Sequence, residues 1–215
     1  MVVTKTHPRA VVDQLLDAGV RLFGENRVQE ATAKFGTDPG RSGYQLHLIG
    51  HLQRNKAAAA ARLFDAVQSI DKEETAVALA RALGTPPAPV AVLLELNSSG
   101  EEQKHGCRTV EELLELHRRL AELAAVQVRG VMTMAPYSDD RQLIRSCFRS
   151  ARKAFERMRD LDRTVDTLSM GMSGDYELAV EEGSTLVRLG TAVLGQRPSA
   201  QPPAPSTASA PGPPS

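Results

Sequence analysis

Two distant stretches of the sequence carry residues that could do chemistry together. Lys5 closes the run Val2-Val3-Thr4 and precedes Thr6-His7-Pro8. A lysine at the end of an apolar strand has its stem flanked by apolar walls, and desolvation there lowers its pKa and frees the amine to attack an aldehyde. The bland reading, a surface lysine, loses ground only because of what stands far along the chain. That stretch reads Ser169-Met170-Gly171-Met172-Ser173-Gly174-Asp175, then Leu186-Val187-Arg188-Leu189-Gly190-Thr191-Ala192. Ser173 stands where a helix is expected to begin, and Gly190 and Thr191 where a last strand hands over to a short final helix. Backbone N–H groups at such points hold phosphate, and in barrels of alternating strands and helices that site often follows strands seven and eight. Plain helix capping by Ser173 and Thr191 is the competing role and is compatible with it. Arg188 lies inside the last strand, where an inward-facing charge is costly unless it meets an acceptor.

Other polar residues read more blandly. His47 and His51 look like a metal pair, but on a strand-to-loop segment they need not face the same way. No carboxylate or cysteine close to them in the chain completes a ligand set, so no metal is expected. Lys104 and Gly106, after Asn97, belong to a polar loop that borders the mouth or is simply solvated. The base-rich segment Arg141–Arg163 balances its charge with acids and reads as a solvated outer helix.

The elements that must position these residues follow one repeating pattern. A short β-rich run ends in Gly, Asn, Asp or Ser, and an amphipathic helix follows. The runs are Val2–Thr4, Val20–Gly24, Gln45–Gly50, Ala66–Ile70, Val90–Asn97, Val128–Met134, Thr167–Met170 and Leu186–Leu189. Thr109 with Glu112 makes a capping box, and Asp71 with Glu74 looks similar. Leu143, Ile144, Cys147, Phe148, Ala151, Phe155 and Met158 share one helical face. The strand runs are nearly continuously apolar, as parallel strands covered on both faces require. Eight such units predict an α/β fold, a single (β/α)8 barrel, over an open doubly wound sheet. The absence of a Gly-rich dinucleotide fingerprint after the first strand supports that choice. Lys5, Asn26, His47, Ser173, Arg188, Gly190 and Thr191 then collect at the mouth, because barrels keep their chemistry at the C-terminal ends of the strands. The barrel is assigned to residues 1–197, and the Pro/Ala/Ser-rich stretch 198–215 is expected to be a disordered tail.

Composition narrows the function. The chain has 215 residues, 26 basic and 26 acidic, so no net field draws in nucleic acid or an anionic membrane. Tryptophan is absent and aromatics make up 4%, against a stacking platform for single strands. No apolar stretch is long enough to span a bilayer and no secretory leader is visible, so a cytoplasmic protein is expected. Cys107 and Cys147 form no motif and suit reduced thiols.

At this point several segments resemble one family. They are Val3-Thr4-Lys5-Thr6, Phe23-Gly24-Glu25-Asn26-Arg27-Val28-Gln29-Glu30, and the diagnostic His47-Leu48-Ile49-Gly50-His51-Leu52-Gln53-Arg54-Asn55-Lys56. Ser69-Ile70-Asp71, Asn97 with Lys104 and Gly106, Gly130-Val131-Met132-Thr133-Met134, Ser169 to Ser173 and Val187 to Thr191 follow in order. Together they are similar to the pyridoxal phosphate homeostasis protein family over residues 2–197. The resemblance implies a barrel like the N-terminal domain of alanine racemase, with pyridoxal 5'-phosphate (PLP) held as a Schiff base on Lys5. It further implies phosphate binding by Ser173, Gly190 and Thr191, Arg188 at the pyridine nitrogen, Asn26 near the ring and His47 lining the pocket. Arginine is never an acceptor, so it disfavours a protonated pyridinium and weakens the ring as an electron sink. That fits a monomeric carrier and regulator of PLP, serving PLP-dependent apoenzymes, without established turnover. The alternative is an amino acid racemase of the alanine racemase type, which needs a second base, normally a tyrosine. Tyr137, after the sixth strand, is the one tyrosine expected near the mouth. Only Met1–Thr4 precede Lys5, so the first strand is expected to be truncated: either the start lies further upstream or the strand is frayed.

Overall fold

The computed structural model describes residues 1–36, 43–101 and 103–196. The stretch 198–215, expected as a tail, lies outside the described residues. Eight strands alternate with helices: β1 (Val2–Val3), α1 (Arg9–Asp17), β2 (Leu22–Glu25), α2 (Val28–Phe35), β3 (Gln45–Leu48), α3 (Ala57–Leu63), β4 (Ala66–Ile70) and α4 (Glu73–Leu83). The second half runs β5 (Val90–Leu96), α5 (Val110–Leu120), β6 (Val126–Thr133), α6 (Arg141–Leu161), β7 (Thr167–Met172), α7 (Tyr176–Glu181), β8 (Leu186–Arg188) and α8 (Thr191–Leu194). All strands pair in parallel in sequence order.

The sheet closes on itself, which rules out the open doubly wound alternative. Val3 N–H donates to Leu189 O at 2.8 Å and Leu189 N–H donates to Met1 O at 3.0 Å, joining β8 to β1. The first strand is shorter than the expected Val2–Thr4, two residues, yet it is hydrogen-bonded to both neighbours. Fraying is therefore countered on both edges.

Packing explains the strand lengths and helix faces. Apolar strand residues such as Phe23, Leu46, Leu48, Val67, Val92, Leu94, Val131 and Leu168 are fully buried against the helices. On α6, Ile144, Cys147, Phe148, Ala151, Phe155 and Met158 are buried as the periodicity predicts, whereas Leu143 sits at the edge of the stripe and is 41% exposed. The Thr109 hydroxyl accepts from Glu112 N–H at 3.1 Å and caps α5. The similar cap expected at Asp71 does not form: α4 has Lys72 at its N-cap without a side-chain bond, because Asp71 is engaged elsewhere. Both cysteines are free and buried.

Candidate functional site

Closure brings the two distant stretches of sequence together. Lys5 follows β1 and is half-buried. A Cβ built on Gly190 would lie 3.6 Å from Val3 O, so the turn after β8 sits beside the end of β1. Thr6 is held in the left-handed region at φ 67°, which is strained for a β-branched residue. The Glu30 carboxylate accepts the Thr6 N–H and holds that turn. Beneath it, Glu25 is fully buried and accepts from Thr4 Oγ1 and Lys34 Nζ, each at 2.7 Å, while Lys34 also donates to Thr4 O at 2.7 Å. Burial raises the Glu25 pKa, and the Lys34 and Thr4 hydrogen bonds oppose the rise. This clamp ties β1, β2 and α2 under Lys5, so the strand is anchored by side chains where backbone pairing is scarce.

Ser173 was expected to open a helix of its own. Instead α7 begins at Tyr176, and the Ser173 hydroxyl accepts from Gly190 N–H and Ala192 N–H, both at 3.1 Å. It thus caps α8 from a neighbouring loop. Thr191 is the first helical residue, exposed, with Gly190 at the N-cap position, so it does not cap the helix. The β7–β8 register shifts between Ser169 and Met172, which helps aim this loop at the next strand's end.

Arg188 is 3% exposed and meets acceptors, as an interior charge must. It donates to Ser169 Oγ and to Thr133 O, each at 2.7 Å. Burial pulls its pKa down to about 10, against the fields of Asp175 and Glu95. Because a guanidinium only donates, the polarity of the chain beyond it is fixed. Ser169 Oγ–H passes to Gln68 Oε1 at 2.7 Å, and the Gln68 amide passes to His47 Nδ1 at 2.9 Å. His47 is therefore the tautomer protonated at Nε2. Burial holds it neutral, its pKa pulled down to about 4 with Asp65 opposing. The relay crosses from β8 through β7 and β4 to β3.

Asn26 follows β2 and is half-buried. A Cβ at Gly50 would stand 2.2 Å from Asn26 O, so only glycine lets the turn after β3 approach it. Glu95 on β5 is buried, and burial, with Asp71 nearby, pushes its pKa up to about 7 while Arg188 pulls it back. Sequence reasoning did not single out Gln68 and Glu95. The signal was there: Glu95 is the lone polar residue of β5, and Gln68 stands with Ser69 in the otherwise apolar β4. His51 does not pair with His47. Its ring stacks on His105 at 3.7 Å, beside Asp71, a carboxylate that the reading along the chain did not bring near. Tyr137 projects fully into solvent, Tyr44 packs edge-on against Phe23, and the Tyr176 hydroxyl donates to Glu177 at 3.5 Å.

The described helices include none long and apolar enough to cross a membrane. The family description "Alanine racemase, N-terminal domain" matches residues 1–198. The chain is 36% identical over 200 residues to the pyridoxal phosphate homeostasis protein of Vibrio cholerae, covering 92% of this chain and 84% of that one. It is 39% identical over 203 residues to the protein of the same name from Escherichia coli, covering 92% and 85%. Among solved structures, PipY of Synechococcus elongatus with PLP bound superposes with a TM-score of 0.80 at 34% identity, covering 91% of this chain and 92% of that one. An alanine racemase from Clostridium difficile shares the fold at a TM-score of 0.73 and 15% identity, over 93% of this chain and 52% of that one.

Proposed function

The chain belongs to the pyridoxal phosphate homeostasis protein family, and from that premise we propose that it binds PLP at the barrel mouth, attached covalently to Lys5 Nζ. The observation that carries the reading is the convergence of Lys5, Ser173, Arg188 and Gly190 on the β7–β8–β1 seam. The residues present fit the cofactor. Where two backbone N–H groups converge at Gly190 and Ala192, an oxygen acceptor already sits, the Ser173 hydroxyl, and phosphate presents the same atom type. Thr191 adds a hydroxyl at the same turn.

PLP, when bound, supplies an electrophilic carbon for an amine and a ring that can accept electrons. The protein's own part is to hold and orient. The Glu25–Lys34–Thr4 clamp fixes the backbone from which Lys5 projects. Arg188 offers donors only, held in place by Ser169 and Thr133, and would keep a ring nitrogen unprotonated. Asn26 and neutral His47 line the sides. With Tyr44 in an apolar contact and Tyr137 in solvent, a carrier and regulator of PLP is the better supported reading than a racemase. We extend it to a cytoplasmic protein that exchanges PLP with PLP-dependent apoenzymes and acts as a monomer.

Titration of the cofactor-free protein with PLP, followed by visible absorbance, tests the reading. A saturable new band in the wild type that is lost in Lys5→Ala is the expected result. Equal spectra for both proteins would overturn it.

A further inference from the structure

Above β3, β4 and β5, three side chains with no part in the cofactor reading come together. His51 follows β3, Asp71 follows β4, and His105 stands in the loop between β5 and α5. Each offers one ligand atom, and these atoms all lie within 4.8 Å of one another, the one such group found among the described residues. We propose that His51, Asp71 and His105 bind one divalent transition-metal ion of the zinc class.

The donor set is the first argument. Two imidazole nitrogens and one carboxylate oxygen suit zinc and its neighbours, whereas calcium and magnesium seek oxygen alone. Around tetrahedral zinc, with bonds of about 2.0–2.2 Å, ligand atoms stand about 3.3 Å apart. Modest rotation of the two rings, which now stack at 3.7 Å and 8°, brings the set to that spacing. Both histidines are exposed and sit in loops, so that rotation meets little packing.

The Asp71 side chain is 2% exposed. Its Oδ2 accepts from Gly106 N–H at 3.3 Å and stands 3.8 Å from His105 Nδ1. Its Oδ1 is buried and has no hydrogen-bond partner among the described residues. A buried carboxylate with one oxygen left unsatisfied is costly, and a cation bound by that carboxylate offsets the cost. The backbone bond to Oδ2 would serve as the outer support that orients a ligating carboxylate. The ion would tie the turns after β3 and β4 to the β5–α5 loop, leaving a fourth position for water or an added ligand.

The test uses untagged, metal-free protein. Co2+ is titrated by its visible absorption, and Zn2+ is titrated by competition with a chromophoric chelator. One ion per chain is expected, with affinity at least about a hundredfold weaker in His105→Ala and in Asp71→Asn, by analogy with the tenfold to hundredfold losses from outer-shell changes. His105 is exposed, so its replacement leaves the fold intact, and Zn2+ should raise the melting temperature of the wild type while leaving His105→Ala unmoved. No saturable one-to-one binding, or binding undiminished in a His51→Ala/His105→Ala double variant, overturns the proposal.

Discussion

At the residue scale, the polar side chains of the site act across to other segments: the Ser173 hydroxyl accepts from Gly190 and Ala192 N–H, and Asp71 Oδ2 accepts from Gly106 N–H. Arg188 was legible as an interior charge that must find acceptors, and it finds Ser169 and Thr133. Ser173 was legible as important but not in its role. Its hydroxyl caps a helix that begins eighteen residues later (191 against 173), a contact only tertiary structure creates. Asp71 failed for the same reason: its spacing to Glu74 suggests a local cap, while its carboxylate turns to Gly106 in the loop after the neighbouring β5. Ser173→Ala removes one hydroxyl from the proposed phosphate cradle, a bond to a charged group worth roughly 1.5–3 kcal/mol. PLP affinity should therefore fall about tenfold to a hundredfold. Pyridoxal, lacking the phosphate, should bind almost unchanged, and a parallel titration of the two ligands checks this. Equal losses would mean that Ser173 acts only by capping α8.

At the element scale, the strands and helices were largely legible because each satisfies its own periodicity. The run Ala66–Ile70 is the observed β4, and the runs assigned to β5 and β6 lie within two residues of the observed bounds. The α5 capping box also forms, with a variation: Glu112 Oε2 accepts from Arg108 N–H at 2.7 Å rather than from the cap residue itself. What was not legible is how a two-residue β1 can hold its place. The answer lies in Glu25 and Lys34, an ion pair buried between β2 and α2 that grips Thr4, and no pattern within β1 announces it. The cap gives a clean test of helix energetics. Thr109→Ala removes the acceptor for Glu112 N–H on an exposed turn, so stability should fall by about 1 kcal/mol. For a domain of this size that is a drop of roughly 2–4 °C in melting temperature. Thermal unfolding by circular dichroism measures it, and an unchanged midpoint would show that solvent replaces the bond at no cost.

At the scale of the whole molecule, barrel closure places two groups with opposite titration faults in one interior. His47, its pKa pulled from 6.5 to about 4, stays neutral in the native state while the unfolded chain takes up a proton. Its contribution to stability is therefore lost as pH falls from 6.5 towards 4. Glu95, pushed from 4.5 to about 7, keeps its proton in the native state after the unfolded chain has released it. Its contribution is lost as pH rises from 4.5 towards 7. Between about pH 4.5 and 6.5 the two slopes oppose each other. In the cofactor-free protein, Glu95→Gln should make the melting temperature fall more steeply on acidification than in the wild type, and His47→Gln should tilt it the other way. Parallel pH profiles for all three proteins would contradict the assignment. Neither residue type nor spacing announces this pairing, since burial sets both shifts. Closure also underlies the central claim, because it alone sets the end of β1, which Lys5 follows, beside the turn at Gly190. The most direct measurement is borohydride reduction of the PLP-loaded protein followed by peptide mass mapping. The account predicts a pyridoxyl group on Lys5. A label on Lys34, Lys56, Lys104 or another lysine, or no label at all, would contradict it.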